Sequence, residues 1–336
     1  MIVWEASEIM KKKMKIKYSL QQNTIWVAFV ALAIVACIAS PAFLTRSNIT
    51  SVLMSESVVG IIVVGEMWCI LSRGIDLTPG AIVALTSCIS ASLVQKAEYS
   101  GRMFPEMPQM PLLIVLLIVI AVGVLIGIFN GVLIAYFKLP PFIATLGTQL
   151  IIRAVAQIYT NAYPVPELRG DFKLLGQGYI LGVFPIVVII FIIFVIISGF
   201  MLTQTRFGKN VFAIGGNEQT ARVAGIHVER NIIYVYVWSA VCAAVSGMLL
   251  AARSGAGNSS FGMNYELDAI AAATVGGTSH SGGVAKVNGV IAGILILGIV
   301  KNAMLLVGIS TYWQQIVKGI IIIGAVALDM HKNKKN

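Results

Sequence analysis

Charge is scarce in this 336-residue chain: 11% of residues are Asp, Glu, Lys or Arg, whereas about a quarter are charged in an ordinary soluble domain. With 58% hydrophobic residues, that scarcity excludes a soluble globular protein and indicates an integral membrane protein. Only four cysteines occur, Cys37, Cys69, Cys88 and Cys242. All fall inside apolar segments without CxxC spacing, which excludes a disulfide framework or a thiolate metal site. The three histidines, His227, His280 and His331, have no HExxH spacing, and no GxSxG elbow exists. The GxxxxGK[ST] pattern is missing too, since Gly208-Lys209 is followed by Asn210 and preceded at the required spacing by Thr203. The chain therefore carries no nucleotide-hydrolysis motif of its own. Its net charge of +10 is spread over short loops and both ends rather than over one basic face, which argues against nucleic acid as a partner.

What is present is a series of apolar windows, near 24–45, 50–72, 79–95, 111–137, 141–160, 179–202, 232–252, 266–279, 287–308 and 313–330. The pattern predicts an all-α integral membrane protein of about ten transmembrane helices. The window at 266–279 is too short for a full crossing and reads as a broken or re-entrant helix. Ile34-Val35-Ala36-Cys37 resembles a lipoprotein cleavage box, but the apolar run around it exceeds a signal core, so it reads as an uncleaved first span. Residues 1–23 then form a basic tail, 24–330 the transmembrane domain and 331–336 a second tail.

Of the 24 Lys and Arg, fifteen fall on the face shared by both termini and by a polar island from Thr203 to Asn231, and six on the other face. Arg153, Lys301 and Lys318 lie within spans. The positive-inside rule places the termini and the island in the cytoplasm. Within the island, Asn217 can cap a short helix starting near Glu218, whose charge complements the positive end, and Gly225 can end it about two turns later.

Glycines recur in two patterns. Gly123, Gly127 and Gly131, and likewise Gly289 and Gly293, offer small faces for helix contact. Gly74 with Thr78-Pro79-Gly80, Gly276-Gly277 and Gly282-Gly283 instead interrupt helices, as in broken helices beside a cavity. The Gly74-Ile75-Asp76-Leu77 and Tyr265-Glu266-Leu267-Asp268 segments echo one another, and their spans run in opposite directions in this topology, compatible with a five-plus-five inverted repeat. Glu56, Glu66, Arg153, Lys301 and Lys318 in or near spans either line a polar path or form interface anchors and structural pairs.

Several of these segments together resemble the permease subunits of bacterial ABC monosaccharide importers, the ribose and galactose group. They are Gly74-Ile75-Asp76-Leu77-Thr78-Pro79-Gly80, Pro140 to Gly147, Arg206 to Asn210 through Gly225, Glu266 to Ala271, and Tyr312-Trp313-Gln314-Gln315. Phe104-Pro105-Glu106-Met107 and Tyr265 to Ala271 are most like the galactose and methyl-galactoside members. Thr78-Pro79-Gly80 departs from the group, where serine and a small residue are commoner.

The resemblance implies a homodimer that works with a cytoplasmic ATPase, holding ATP and Mg, and with a periplasmic sugar-binding protein. It implies no cofactor and no covalent chemistry in this chain. It also implies that the island helix, with Asn217, Glu218, Ala221, Arg222 and Gly225, docks on the ATPase, the small Ala221 permitting close approach. Asn130, Thr145, Gln149 and Asn302, polar positions in apolar spans, are candidates for the translocation path or for interhelical hydrogen bonds. An ion-coupled secondary transporter using Glu66 or Arg153 is the rival reading.

Overall fold

Glycine spacing decides how the long helices meet. The computed structural model describes residues 24–333, and thirteen α-helices with one short hairpin occur among them. The first half holds α1 (Thr24–Ala39), α2 (Arg46–Leu71), α3 (Pro79–Leu93), α4 (Leu112–Ala135) and α5 (Pro141–Thr160). Next come α6 (Gly170–Gln177) and a hairpin, β1 (Tyr179–Ile180) against β2 (Phe184–Pro185). The second half holds α7 (Ile186–Gln204), α8 (Arg206–Gly216), α9 (Glu218–Val223), α10 (Val228–Ser254), α11 (Tyr265–Val275), α12 (Val287–Leu306) and α13 (Thr311–Asn333).

The expected glycine faces are used as such. A Cβ on Gly123 would lie 2.9 Å from the Ala240 carbonyl, on Gly127 2.5 Å from Val237 Cα, and on Gly131 2.7 Å from Ile233 Cα. Each would collide with α10, so the stripe on α4 is the seat of that helix. Gly293 of α12 lies in the same way against α11, where a Cβ would be 2.9 Å from Gly276 N. The two longest helices, α2 and α10, are the most buried and form the centre. They pack on each other, and each also packs on the third and fourth apolar helices of the opposite half: α10 on α3 and α4, α2 on α11 and α12.

Seven helices, α2, α4, α5, α7, α10, α12 and α13, are long and apolar enough to cross a membrane, and α1 and α3 are shorter apolar helices. Every expected window contains a helix. Among the described residues, seven helices thus meet the length for a full crossing, and the windows at 24–45, 79–95 and 266–279 hold shorter helices. The eleven residues of α11 reach roughly 16 Å at 1.5 Å per residue, half of a hydrocarbon core of about 30 Å, as the broken-helix reading requires.

Helix boundaries differ from the expected windows in three places. The sixth window begins with the hairpin, so its helix starts at Ile186, after Pro185. Within the polar island, Val228 to Asn231 already form the first turn of α10. At the C-terminal end α13 runs through His331 to Asn333, where a tail was expected. The basic tail 1–23 and residues 334–336 lie outside the described residues.

Candidate functional site

The island folds as two short helices joined at Asn217. As expected, Asn217 is extended (φ −159°) and its side chain accepts a 3.0 Å hydrogen bond from Thr220 N, capping α9. Glu218 sits in the first turn, where a carboxylate favours the positive helix end. Val223 is the last helical residue, and Gly225 follows at φ +82°, the left-handed conformation that glycine adopts without a Cβ penalty.

Charges clamp this helix to its neighbours. Arg222 bridges Glu218 at 2.8 Å and Glu229 at 2.6 Å, and Lys138, just beyond α4, reaches Glu229 at 3.3 Å. The two carboxylates hold the Arg222 guanidinium above its usual pKa, so it stays charged. Most of this chain is solvent-exposed, so it orients α9 more than it stabilises it.

The face that Ala221 presents differs from the expectation. Its methyl is 2% exposed and packs among Ile214, Val228 and Ile226, so its small size serves contact within the chain rather than approach of a partner. The outward face carries Gln219 and Val223 one turn apart, and Val223 is 91% exposed. A fully exposed valine at the end of a charged helix was not singled out from the sequence. Its 3.6-residue phase relative to the buried Ala221 is the signal that could have found it.

Behind the island, the inner ends of both halves converge. Arg73, the residue beyond the α2 cap, donates from Nε to the Gly215 carbonyl at 2.7 Å and from Nη2 to the Gly216 carbonyl at 2.6 Å. Gly283, in the turn between α11 and α12, donates to the Leu71 carbonyl at 3.0 Å. The last turn of α8 is thus tied directly to the end of α2, and through α2 to the glycine turn of the second half.

A second polar group lies where α2 and α3 are broken apart. Asp76 accepts from Thr78 N at 2.9 Å, Thr78 Oγ1 at 2.5 Å and Ser239 Oγ at 2.9 Å. Glu66 accepts from Asp76 N at 3.1 Å. These bonds pair most of the buried polar groups of this non-helical segment, leaving Glu66 Oε2 without one. Asn130 Nδ2 donates to Thr78 Oγ1 at 3.2 Å, and Thr145 Oγ1 donates to the Ile75 and Pro141 carbonyls at 3.2 and 2.8 Å. Both residues are buried and hold this segment.

Gln149 is half-buried and donates to Glu266 Oε1 at 3.0 Å. Glu266 lies in the first turn of α11 and abuts Gly80 in the first turn of α3. The positive ends of two short helices therefore meet at a carboxylate, a favourable arrangement in low dielectric. Asn302 is brought to none of these residues. It exchanges hydrogen bonds of 2.9 Å with Asn48 of α2, the interhelical reading of its position.

The charged residues in spans also divide. Arg153 donates to the Ser259 and Phe261 carbonyls, ordering the segment before α11, and Lys318 pairs with Asp268 at 2.7 Å. The sequence echo is only partly matched in three dimensions, because Asp76 precedes its helix whereas Glu266 and Asp268 lie within theirs. Asp76 and Ser239 were not among the expected site residues. The acid in a segment bounded by glycine and proline was the available signal for the first, and nothing local marks the second.

Residues 48–326 match the model of a family described as branched-chain amino acid transport system / permease component. The chain is 40% identical over 329 residues to the galactose/methyl galactoside import permease protein of Escherichia coli K12, covering 96% of this chain and 98% of that one. It is 37% identical to the ribose import permease protein of Bacillus subtilis, over 90% of each chain. To the D-allose transport system permease protein of Escherichia coli K12 it is 36% identical, over 91% of this chain and 90% of that one. No solved structure matches it.

Proposed function

The chain belongs to the branched-chain amino acid transport system / permease component family, and from that premise we propose that it is the transmembrane subunit of an ATP-driven ABC importer for a monosaccharide, galactose or a methyl galactoside. The identity to the galactose/methyl galactoside import permease over nearly the full length of both chains carries this reading. It is a transport subunit rather than an enzyme, and ATP and Mg belong to a partner ATPase. The other partners are a periplasmic sugar-binding protein and a second copy of the chain, in a bacterial inner membrane with both termini cytoplasmic. The seven long apolar helices together with α1, α3 and α11 act as two inverted sets of five, which the reciprocal packing of α2 and α10 supports.

In this reading α9 docks in a groove of the ATPase, with Gln219, Val223 and the Glu218–Arg222 pair outermost. When ATP binding draws the ATPase modules together, α9 and α8 move, and Arg73 passes that displacement to α2 and the Gly282-Gly283 turn. The permease then shifts between outward-open and inward-open populations. Asn130 and Thr145 keep the break between α2 and α3 in shape, and the half-buried Gln149 and the buried Glu266 are the polar groups closest to a path.

This assigns Arg73 to coupling rather than to sugar contact. In the reconstituted complex, Arg73→Gln is expected to retain the ATPase subunit and to hydrolyse ATP, while sugar moved per ATP falls about tenfold, the result of losing two charge-assisted hydrogen bonds at about 1 kcal/mol or more each. Parallel loss of hydrolysis and transport would instead make Arg73 a structural residue. Topology is tested separately by cysteine labelling at Thr220: modification only from the periplasmic side would contradict the orientation.

A further inference from the structure

A cleft of about 210 Å³ opens between α2, α11, α12 and α13, with Glu56, Asp268, Lys301, Lys318, Gln314 and Gln315 among its walls. It is distinct from the two groups of residues described above. Glu56 lies ten residues before Glu66 on α2, roughly 15 Å along the helix, and the island meets α2 at its opposite end. Three properties of the cleft identify what it would take.

The first is an unpartnered acceptor. Glu56 is 9% exposed, lines the cleft, and has no hydrogen-bond or ion-pair partner among the described residues. Its seat is built for it: a Cβ on Gly298 would lie 2.6 Å from Glu56 Cγ, so only glycine leaves the room. A largely buried carboxylate that takes no bond from the protein and opens on a cleft must draw its donors from whatever fills that cleft, water or ligand.

The second is charge balance. Asp268 and Lys318 neutralise each other at 2.7 Å, and Glu56 is matched by Lys301 on the same walls. With no net charge, the cleft disfavours an ion and suits a neutral ligand with many hydroxyls.

The third is size and texture. Pockets for drug-sized ligands run roughly 300–1,000 Å³, so this volume suits something smaller. Val59 and Leu297 supply an aliphatic surface of the kind that covers the C–H face of a pyranose, while carboxylates and amides meet its rim.

We propose that this cleft is a hexopyranose-binding subsite in the half of the permease away from the island, with Glu56 as its principal hydroxyl acceptor and Gln315 at its rim. The proposal rests on the importer reading and deepens it, locating a stop for sugar within one subunit.

The test uses the complete importer in proteoliposomes. Met304 lines the cleft, and Met304→Cys, with Cys37→Ser to remove the partly exposed native thiol, gives a reporter for maleimide alkylation. D-galactose is expected to slow alkylation at least about threefold, and galacturonate at equal concentration to have no such effect. Glu56→Leu should abolish that protection and lower maximal uptake about tenfold, the effect of losing hydrogen bonds to a charged group. Glu56→Gln should recover part of both, and Gln315→Ala, at an exposed position, should weaken protection without disturbing the helices.

Alkylation indifferent to galactose in vesicles that transport normally would overturn the subsite, as would full uptake and protection in the Glu56→Leu and Gln315→Ala variants. Galactose protection of the Met304→Cys reporter, with the unmodified importer taking up no sugar with ATP, would support the subsite and fault the transport reading alone.

Discussion

Val223→Asp is expected to reduce recovery of the ATPase subunit with the permease at least about tenfold and to remove most ATP-driven uptake, while the permease inserts and melts as before. Val223 is 91% exposed at the end of α9, and substitutions at such positions change stability by less than about 0.5 kcal/mol. Any large effect must therefore come from a surface that becomes buried elsewhere. Placing a carboxylate in a desolvated contact costs about 2 kcal/mol or more at a central interface position, and a tenfold change needs only about 1.4 kcal/mol. Co-purification from membranes and sugar uptake read the two halves of this expectation. Normal recovery together with normal uptake would mean that this face of α9 meets no partner.

Ala221→Asp is expected to fail in a different way. Its side chain would enter the small apolar group of Ile214, Val228 and Ile226, where no cation waits. Burying an unpaired carboxylate costs about 3 kcal/mol or more, comparable to all that a six-residue helix gains from one apolar contact and one cap. The island should unravel locally while the spans remain inserted, so trypsin should cleave at Arg222 or Arg230 in minutes, at a concentration that leaves the unmodified protein intact. Loss of ATPase binding would follow from that unfolding. Protease resistance like that of the parent, with docking lost, would return Ala221 to the contact surface.

These two positions illustrate what could be read from residue order. The cap at Asn217, the helix from Glu218 and the turn at Gly225 follow from side-chain chemistry within a few residues, and all three are present. Which face of α9 turns inward depends on Ile214 and Val228, packing that no local rule supplies, and so the burial of Ala221 was not legible. The same division holds in the spans. Gly123, Gly127 and Gly131 announced a close helix contact, whereas its partner, α10, comes from more than 100 residues away. Asn130 and Thr145 were recognisable as polar residues in apolar helices, but their partners on the Ile75 to Thr78 segment are tertiary neighbours. Asn302 looked no different and pairs with Asn48 instead. Glu56 could be read from the sequence as a path lining or as an interface anchor, and the glycine at 298 that seats it is a tertiary neighbour.

The most direct measurement is uptake of labelled galactose into proteoliposomes holding this chain, its ATPase and its sugar-binding protein, with no ion gradient across the membrane. Accumulation that requires hydrolysable ATP inside and loaded binding protein outside is expected. Accumulation driven by an imposed proton or sodium gradient without ATP would contradict the importer and favour an ion-coupled carrier.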